Sequence, residues 1–332
     1  MKRWIIGKTI TALISSFALF IALFYLYLDR PLPEDIFPAN FQCLQQDQGD
    51  FIQENILFNN IYGIGLAYAK HINETASDFN SSMSPPIFRK SNVSLIIDNS
   101  NVPIPTENEM LSAIKKVEPS IDMTLSNKGI SLSSLLDHEA ELAFVLLEDI
   151  SDKELMHPDY IANIGFLVAN DLSARSIAIL GDGQINRYDY WGASKSFKGF
   201  TPVSNRIWVP KTQLSNSIPC VVLRTHIDGE LRQNENTNNL IYTPLEMLKY
   251  IKDRYPAESF KKGDLILTGT PGGVILSVPR WKVRLANIIG MDRFKKLSIN
   301  QSKDNADKYL KAGNVVSVSA EWLGSVNITV TK

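Results

Sequence analysis

The chain has 332 residues, 44% of them hydrophobic and 21% charged, with a formal net charge of −1. That supplies enough apolar material for a sizeable core in one or two domains. The balanced charge excludes the global basic footprint of a nucleic-acid binder. Cys43 and Cys220 are the only cysteines; they form no zinc or CxxC spacing, and whether they pair stays open.

The N-terminus places Lys2, Arg3 and Lys8 before an uncharged run, "TITALISSFALFIALFYLYL", at residues 9–28. At about 1.5 Å per residue this predicts a helix of roughly 30 Å, the thickness of a bilayer's hydrocarbon core. Tyr25 and Tyr27 stand at its far end, where aromatic residues favour the interface. The expectation is a single-pass membrane anchor over 9–28, with residues 1–8 in the cytosol. The domain after it is then expected on the non-cytosolic, periplasmic side. The Pro-rich "DRPLPEDIFPANF" predicts a linker within 29–50.

Helical spacing in "AYAKHINETASDF" and an extended "PPIFRK" mark the region 51–130. From about 131 the pattern turns to strands: "ELAFVLL", "IGFLVAND", "RIWVP", "PCVVLRTHIDGEL", "DLILTGTPGG" and "NVVSVSAEWLGSVNITV". Period-two alternation and Gly, Asp-Gly or Pro punctuation carry that reading. "TPLEMLKYIKDRY" predicts an amphipathic helix, and the charged residues near 280–308 an insertion between strands. The fold class expected is mixed α+β, β-dominated.

In "DHEAEL", Glu139 and Glu141 point the same way, because side chains alternate along a strand. Asp171 ends the apolar strand "GFLVAND". Three carboxylates without useful cysteine or histidine suit a hard divalent cation, Mg2+ or Mn2+ rather than Zn2+. The same pattern also fits the wet face of an edge strand with a turn-capping aspartate. His71 and Glu74 are neighbours if "KHINE" is helical, and a carboxylate orienting an imidazole makes a base. A plain surface pair fits as well. Arg175 and Lys195 offer cations for a substrate carboxylate, and "LTGTPGGV" offers Thr270 on a Gly-rich turn without nucleotide-binding spacing.

The order of these blocks is more specific than any one of them. "GLAYAKHINE", "PPIFRK", "DHEAEL", "GFLVANDLSAR", "KSFKGFTPV", "IDGELRQNENT", "LILTGTPGGV" and "LKAGNVVSVSAEWLGSVNITV" together resemble the fumarylacetoacetate hydrolase family, nearest its short acylpyruvate-hydrolase branch. The resemblance implies a mixed β-sandwich roll, with 51–130 as its lid or cap region and 131–332 as its catalytic core, and a homodimer. It implies Glu139, Glu141 and Asp171 as metal ligands, His71, Glu74 and Lys195 as catalytic residues, and Arg175, Thr270 and Lys90 as substrate contacts. The activity implied is Mg2+- or Mn2+-dependent C–C bond hydrolysis of acylpyruvates or related diketo acids through enolate chemistry. Decarboxylation or tautomerisation of a 2-oxo dicarboxylic acid on the same site is the alternative, and a non-catalytic binding module the third reading. Two departures bear on substrate: Ala178 stands where relatives often carry Gln, and Lys198 where they carry an acidic residue.

Overall fold

The period-two runs of the second half become strands, and strands from the first third of the chain complete their sheets. The computed structural model describes residues 19–24, 26, 36–52, 57–74, 83–276, 290, 295–296, 298–300 and 306–332. In chain order the strands are β1 (Gln42–Leu44), β2 (Gly49–Ile52), β3 (Ile61–Ile64), β4 (Ile87–Lys90), β5 (Leu95–Ile97), β6 (Ser100–Pro103), β7 (Leu136–Asp137), β8 (Ala140–Leu146) and β9 (Ile164–Asn170). They continue with β10 (Ser173–Ala174), β11 (Thr201–Val203), β12 (Ile207–Pro210), β13 (Ser217–Pro219), β14 (Val222–Ile227), β15 (Glu230–Asn236), β16 (Leu265–Leu267), β17 (Val315–Ala320) and β18 (Gly324–Thr331). The α-helices are α1 (Ala69–Glu74), α2 (Glu107–Lys115), α3 (Ile121–Lys128), α4 (Asp152–Leu155), α5 (Arg175–Gly181), α6 (Arg187–Ser194) and α7 (Pro244–Arg254).

A nine-stranded sheet follows the path β2-β12-β9-β8-β16-β3-β4, with β11 and β5 branching from β9; a five-stranded sheet has the order β15-β14-β17-β18-β6. Leu142, Phe144 and Leu146 of β8 pack with Leu223, Val316, Val318 and Val326 in the core between the sheets. On the opposite face of the large sheet, Ala143 and Val145 pack with Leu167, Ala169, Leu265 and Leu267. Both faces of β8 and β9 are therefore buried, which is why these strands read as unbroken apolar runs. This is the mixed, β-dominated α+β architecture that the sequence predicts.

Local chemistry sets the turns. Asp228 and Gly229 join β14 to β15 with φ of 50° and 85°, the paired positive values of a two-residue hairpin turn. Thr243 caps α7 by accepting from the Glu246 backbone N–H, while the Glu246 carboxylate accepts in return from the Thr243 N–H, and Pro244 starts the helix without needing a donor.

The large sheet is rolled. Lys90 on β4 forms an ion pair with Asp171, just beyond β9. Those strands are four steps apart along the sheet path, about 19 Å if the sheet were flat, farther than a lysine side chain reaches. Curling brings the edge back over the strand ends and makes a closed, charged pocket there.

The expected membrane anchor is corrected. Residues 9–18, 25, 27 and 28 of it lie outside the described residues; 19–24 and 26 are helical. Among the described residues no helix is long and apolar enough to cross a membrane. The membrane partner and the periplasmic placement, which followed from that anchor, fall with it.

Cys43 on β1 and Cys220 just after β13 form a disulfide, resolving what the sequence left open. β1 pairs in parallel with β13, Cys43 opposite Ile218, so the bond fastens the N-terminal strand where the ladder is only two strands wide. It closes a loop of 177 residues, and cross-links of that size stabilise by about 2–5 kcal/mol. Reduction, or Cys43→Ser with Cys220→Ser, is expected to lower the unfolding free energy obtained from chemical denaturation by that amount, and the midpoint with it. An unchanged midpoint would show that the cross-link adds nothing to the native state.

Candidate metal centre and active site

The register of β8 and β9 pairs Ala140 with Asn170 and Glu141 with Ala169. One step further, the Asp171 N–H donates to the Glu139 carbonyl at 2.8 Å. Glu139 and Asp171 therefore stand opposite each other, and Glu141 is one pleat along on the same face. On the other side of β8, Leu267 pairs with Ala143, and two residues on, the Gly269 N–H donates to Glu141 Oε2 at 2.7 Å. Gly269 has φ +96°, and a Cβ there would lie 2.7 Å from Ala67 Cβ and 2.8 Å from the Ile64 carbonyl, so the turn needs glycine.

Glu139, Glu141 and Asp171 place oxygens within 4.8 Å of one another, and all three residues are buried. Burial, then Asp171 and Glu139, push the Glu141 carboxyl well above its usual range. Burial also opposes ionisation of Glu139, but Lys195 and Arg175 outweigh it and hold its pKa low. A cluster of hard oxygen donors with one member unable to ionise comfortably fits a divalent cation, which supplies the missing positive charge. The edge-strand reading is excluded: none of the three is on a wet face.

Three cations line the cluster. Lys195 Nζ donates to Glu139 Oε2 and to Asp171 Oδ2, both at 2.6 Å. Burial disfavours its charge, yet Asp171 and Glu139 prevail and the ammonium is stabilised. Lys90 Nζ pairs with Asp171 and donates to the Phe200 carbonyl at 2.8 Å. Here burial wins over Asp171, and the Lys90 pKa is lowered. Arg175, at the start of α5, puts Nε 2.7 Å from Asp137 Oδ2 and Nη2 2.6 Å from Glu139 Oε1.

α1 carries His71 and Glu74. Burial pushes the His71 imidazole down to about 4, with Glu139 opposing and Arg175 and Lys195 assisting. Its ring is thus neutral near pH 7 and within the field of the charged cluster. Glu74 Oε2 accepts from the Gly273 N–H at 2.7 Å, and a Cβ on Gly272 would fall 2.6 Å from Glu74 Oε1. The Gly-rich turn therefore holds both Glu141, through Gly269, and Glu74, through Gly273.

Thr270 is fixed rather than loose: its hydroxyl donates to the Ala140 carbonyl at 3.1 Å and accepts from Gln233 Nε2 at 2.8 Å. Gln233, which the sequence reading did not single out, is the hub. Its Oε1 also accepts from the Ala140 N–H at 3.0 Å and Thr225 Oγ1 at 2.8 Å, and its Nε2 donates to the Pro271 carbonyl at 3.1 Å. Gln233 is the single buried residue of β15, so only the phase of a polar strand could have marked it. Asp137 was passed over as well, although it begins "DHEAEL". Lys198 lines a groove of about 640 Å³ with Arg89, Glu109 and Lys116, not the carboxylate cluster.

The sequence model described as fumarylacetoacetate (FAA) hydrolase C-terminal matches residues 60–331. The chain belongs to the fumarylacetoacetate hydrolase family. Its relatives include a mitochondrial oxaloacetate decarboxylase of Dictyostelium discoideum, 28% identical over 74% of this chain and 95% of that protein. A mitochondrial oxaloacetate tautomerase of Saccharomyces cerevisiae is 28% identical over 64% of this chain and 80% of its own length. Fumarylpyruvate hydrolase from Pseudomonas aeruginosa, solved with Mn2+ and pyruvate, shares the fold at a TM-score of 0.55 and 17% identity, covering 91% of this chain and 98% of that one. Members of the fumarylacetoacetate hydrolase family are enzymes that depend on divalent metals, and this member keeps a buried acidic triad to match.

A native-state ligand stabilises by about 2.7 kcal/mol at a hundred times its Kd. Mn2+ is therefore expected to raise the melting temperature by several degrees over an EDTA control, and Glu141→Ala to abolish that response. A Glu141→Ala protein that still responds would place the metal elsewhere.

Proposed function

We propose that the protein is a divalent-metal-dependent hydrolase that cleaves a C–C bond in acylpyruvates or related diketo acids. The observation that carries this reading is His71: a buried imidazole, neutral near pH 7, beside a carboxylate cluster whose cations are already in place. Glu139, Glu141 and Asp171 would hold Mg2+ or Mn2+, which would supply Lewis-acid stabilisation of the charge that develops on a 2-oxo acid.

The chain's own groups do the rest. Arg175 stays charged and receives the substrate carboxylate: its contacts with Asp137 and Glu139 use Nε and Nη2, and Nη1 remains. His71 takes a proton from water, and the resulting hydroxide adds to the distal carbonyl. The C–C bond then breaks with its electron pair on the 2-oxo acid side, and a proton returned to that carbon completes pyruvate and a carboxylic acid. Lys195 adds positive charge beside the developing oxyanion, and Lys90 keeps Asp171 oriented. Glu74, pinned to Gly273, holds α1 and its histidine against the turn.

The oxaloacetate-acting relatives favour a second reading, decarboxylation or tautomerisation of a 2-oxo dicarboxylic acid on the same residues. A product assay separates the two. With saturating Mn2+, acylpyruvate is expected to yield pyruvate and a carboxylic acid, and His71→Asn to lower kcat by about 10²–10⁴ while the Mn2+ melting shift persists. Turnover of oxaloacetate without acylpyruvate cleavage would establish the second reading, and no turnover of either a binding module.

The pH profile tests the base independently. A histidine base acts when unprotonated, so activity is present above its pKa and lost as pH falls through it. With His71 held near 4, the acid limb of kcat/KM at saturating Mn2+ is expected well below the usual imidazole value of about 6.5. A limb at 6.5 or higher would exclude the buried His71 as that base.

A further inference from the structure

Asp137 opens the stretch that supplies two metal carboxylates but is not one of them. It is fully buried, and donors occupy both of its oxygens. Oδ1 accepts from the His138 N–H at 2.8 Å and the Ile275 N–H at 3.0 Å. Oδ2 accepts from Arg175 Nε at 2.7 Å and the Leu276 N–H at 3.2 Å. A carboxylate has about four lone-pair directions, so none is left to bind a metal.

The fourth donor, the His138 N–H, is the next residue's own backbone; the other three belong to two parts of the site. Arg175 is one. The other is the chain leaving the Gly-rich turn, whose Gly269 and Gly273 N–H groups hold Glu141 and Glu74. One carboxylate thus references the substrate-facing cation and the turn to the same point. Attachment of α5 does not require this bond, because β7 and β10 already pair through the backbone, with Ser173 opposite Asp137. What the side-chain bond adds is orientation. Gripping Nε fixes the plane of the guanidinium, which leaves Nη2 on Glu139 and directs Nη1. The N–H groups of a guanidinium lie in one rigid plane, so that plane decides whether the Nη1 hydrogens point in line at a substrate oxygen.

We infer that Asp137 is a positioning residue that sets the plane of the Arg175 guanidinium for a substrate carboxylate. This rests on reading the site as a 2-oxo acid centre. It predicts that losing the Asp137 bond harms recognition of the acid without harming the metal site.

The probe is oxalate, a mimic of a 2-oxo acid enolate, titrated by calorimetry into the Mn2+-loaded protein. Asp137→Asn keeps the shape but sets an amide donor either against Arg175 Nε and the Leu276 N–H or against the His138 and Ile275 N–H groups, and in either case removes the negative charge that holds the guanidinium. The expected result is an Mn2+ affinity within about threefold of wild type and an oxalate affinity lower by tenfold or more. Arg175→Lys, which removes Nε and the plane, is expected to lose a similar factor. The double variant is expected to lose little more than Arg175→Lys alone, because the two residues act as one unit. A purely structural role for Asp137 predicts instead that the two losses multiply.

Unchanged oxalate affinity in Asp137→Asn, or multiplying losses in the double variant, overturns the inference. If Asp137→Asn does not fold, Arg175→Lys decides: wild-type oxalate affinity there shows that the plane is irrelevant. No Mn2+-dependent oxalate binding in the wild type overturns the 2-oxo acid reading itself, and this inference with it.

Discussion

Four carboxylates, Asp137, Glu139, Glu141 and Asp171, are buried within a few residues of one another at the end of β8 and β9. Removing each from water costs several kcal/mol unless it is paired and hydrogen-bonded. Lys90, Arg175 and Lys195 compensate three negative charges, and the direction of the Glu141 shift shows where compensation stops. The cluster is one cation short. That shortfall is what the proposed divalent cation would make good.

The fold makes sense as the means of assembling that cluster. Its three cations come from three places: Lys90 from the edge strand β4, Arg175 from the start of α5, and Lys195 from the end of α6. A flat sheet would leave Lys90 out of reach, so the roll is a requirement of the charge balance and not a decoration of the architecture. α6 is brought onto β4 at Gly192, where a Cβ would lie 2.5 Å from the Arg89 carbonyl. Only a glycine there lets the helix approach closely enough for Lys195 to arrive beside Lys90. The five-stranded sheet serves the same end from behind, through Gln233, which grips β8 between Glu139 and Glu141 and fixes Thr270.

Strand periodicity carried much of this into the sequence. Glu139 and Glu141 share a face by the period-two rule, and Asp171 ends a strand whose apolar run shows that it is buried. The antiparallel register that sets Asp171 opposite Glu139 was not readable, because pairing is a property of two strands and their connection. Family resemblance supplied that step. Gln233 was hidden because an inward glutamine on a polar strand looks like its exposed neighbours. Asp137 was hidden because its partners, Arg175, Ile275 and Leu276, lie far along the chain. The N-terminal apolar run shows the opposite failure: hydropathy and length alone suggested a span, and the described residues contain no helix long enough to be one.

The family context explains why the reaction is harder to read than the site. Hydrolysis of an acylpyruvate and decarboxylation or tautomerisation of oxaloacetate all develop negative charge on a 2-oxo acid, and the acidic triad with its cations serves each equally. The groups that separate them act at the far end of the substrate: a base that activates water for hydrolysis, or one that moves a proton at carbon for tautomerisation. His71 is suited to either by its neutrality. Its helix also carries Glu74, fastened to the same turn that holds Glu141. In the proposed hydrolysis, His71 and Glu141 would thereby be held relative to a common backbone segment, as attack of water on a distal carbonyl requires.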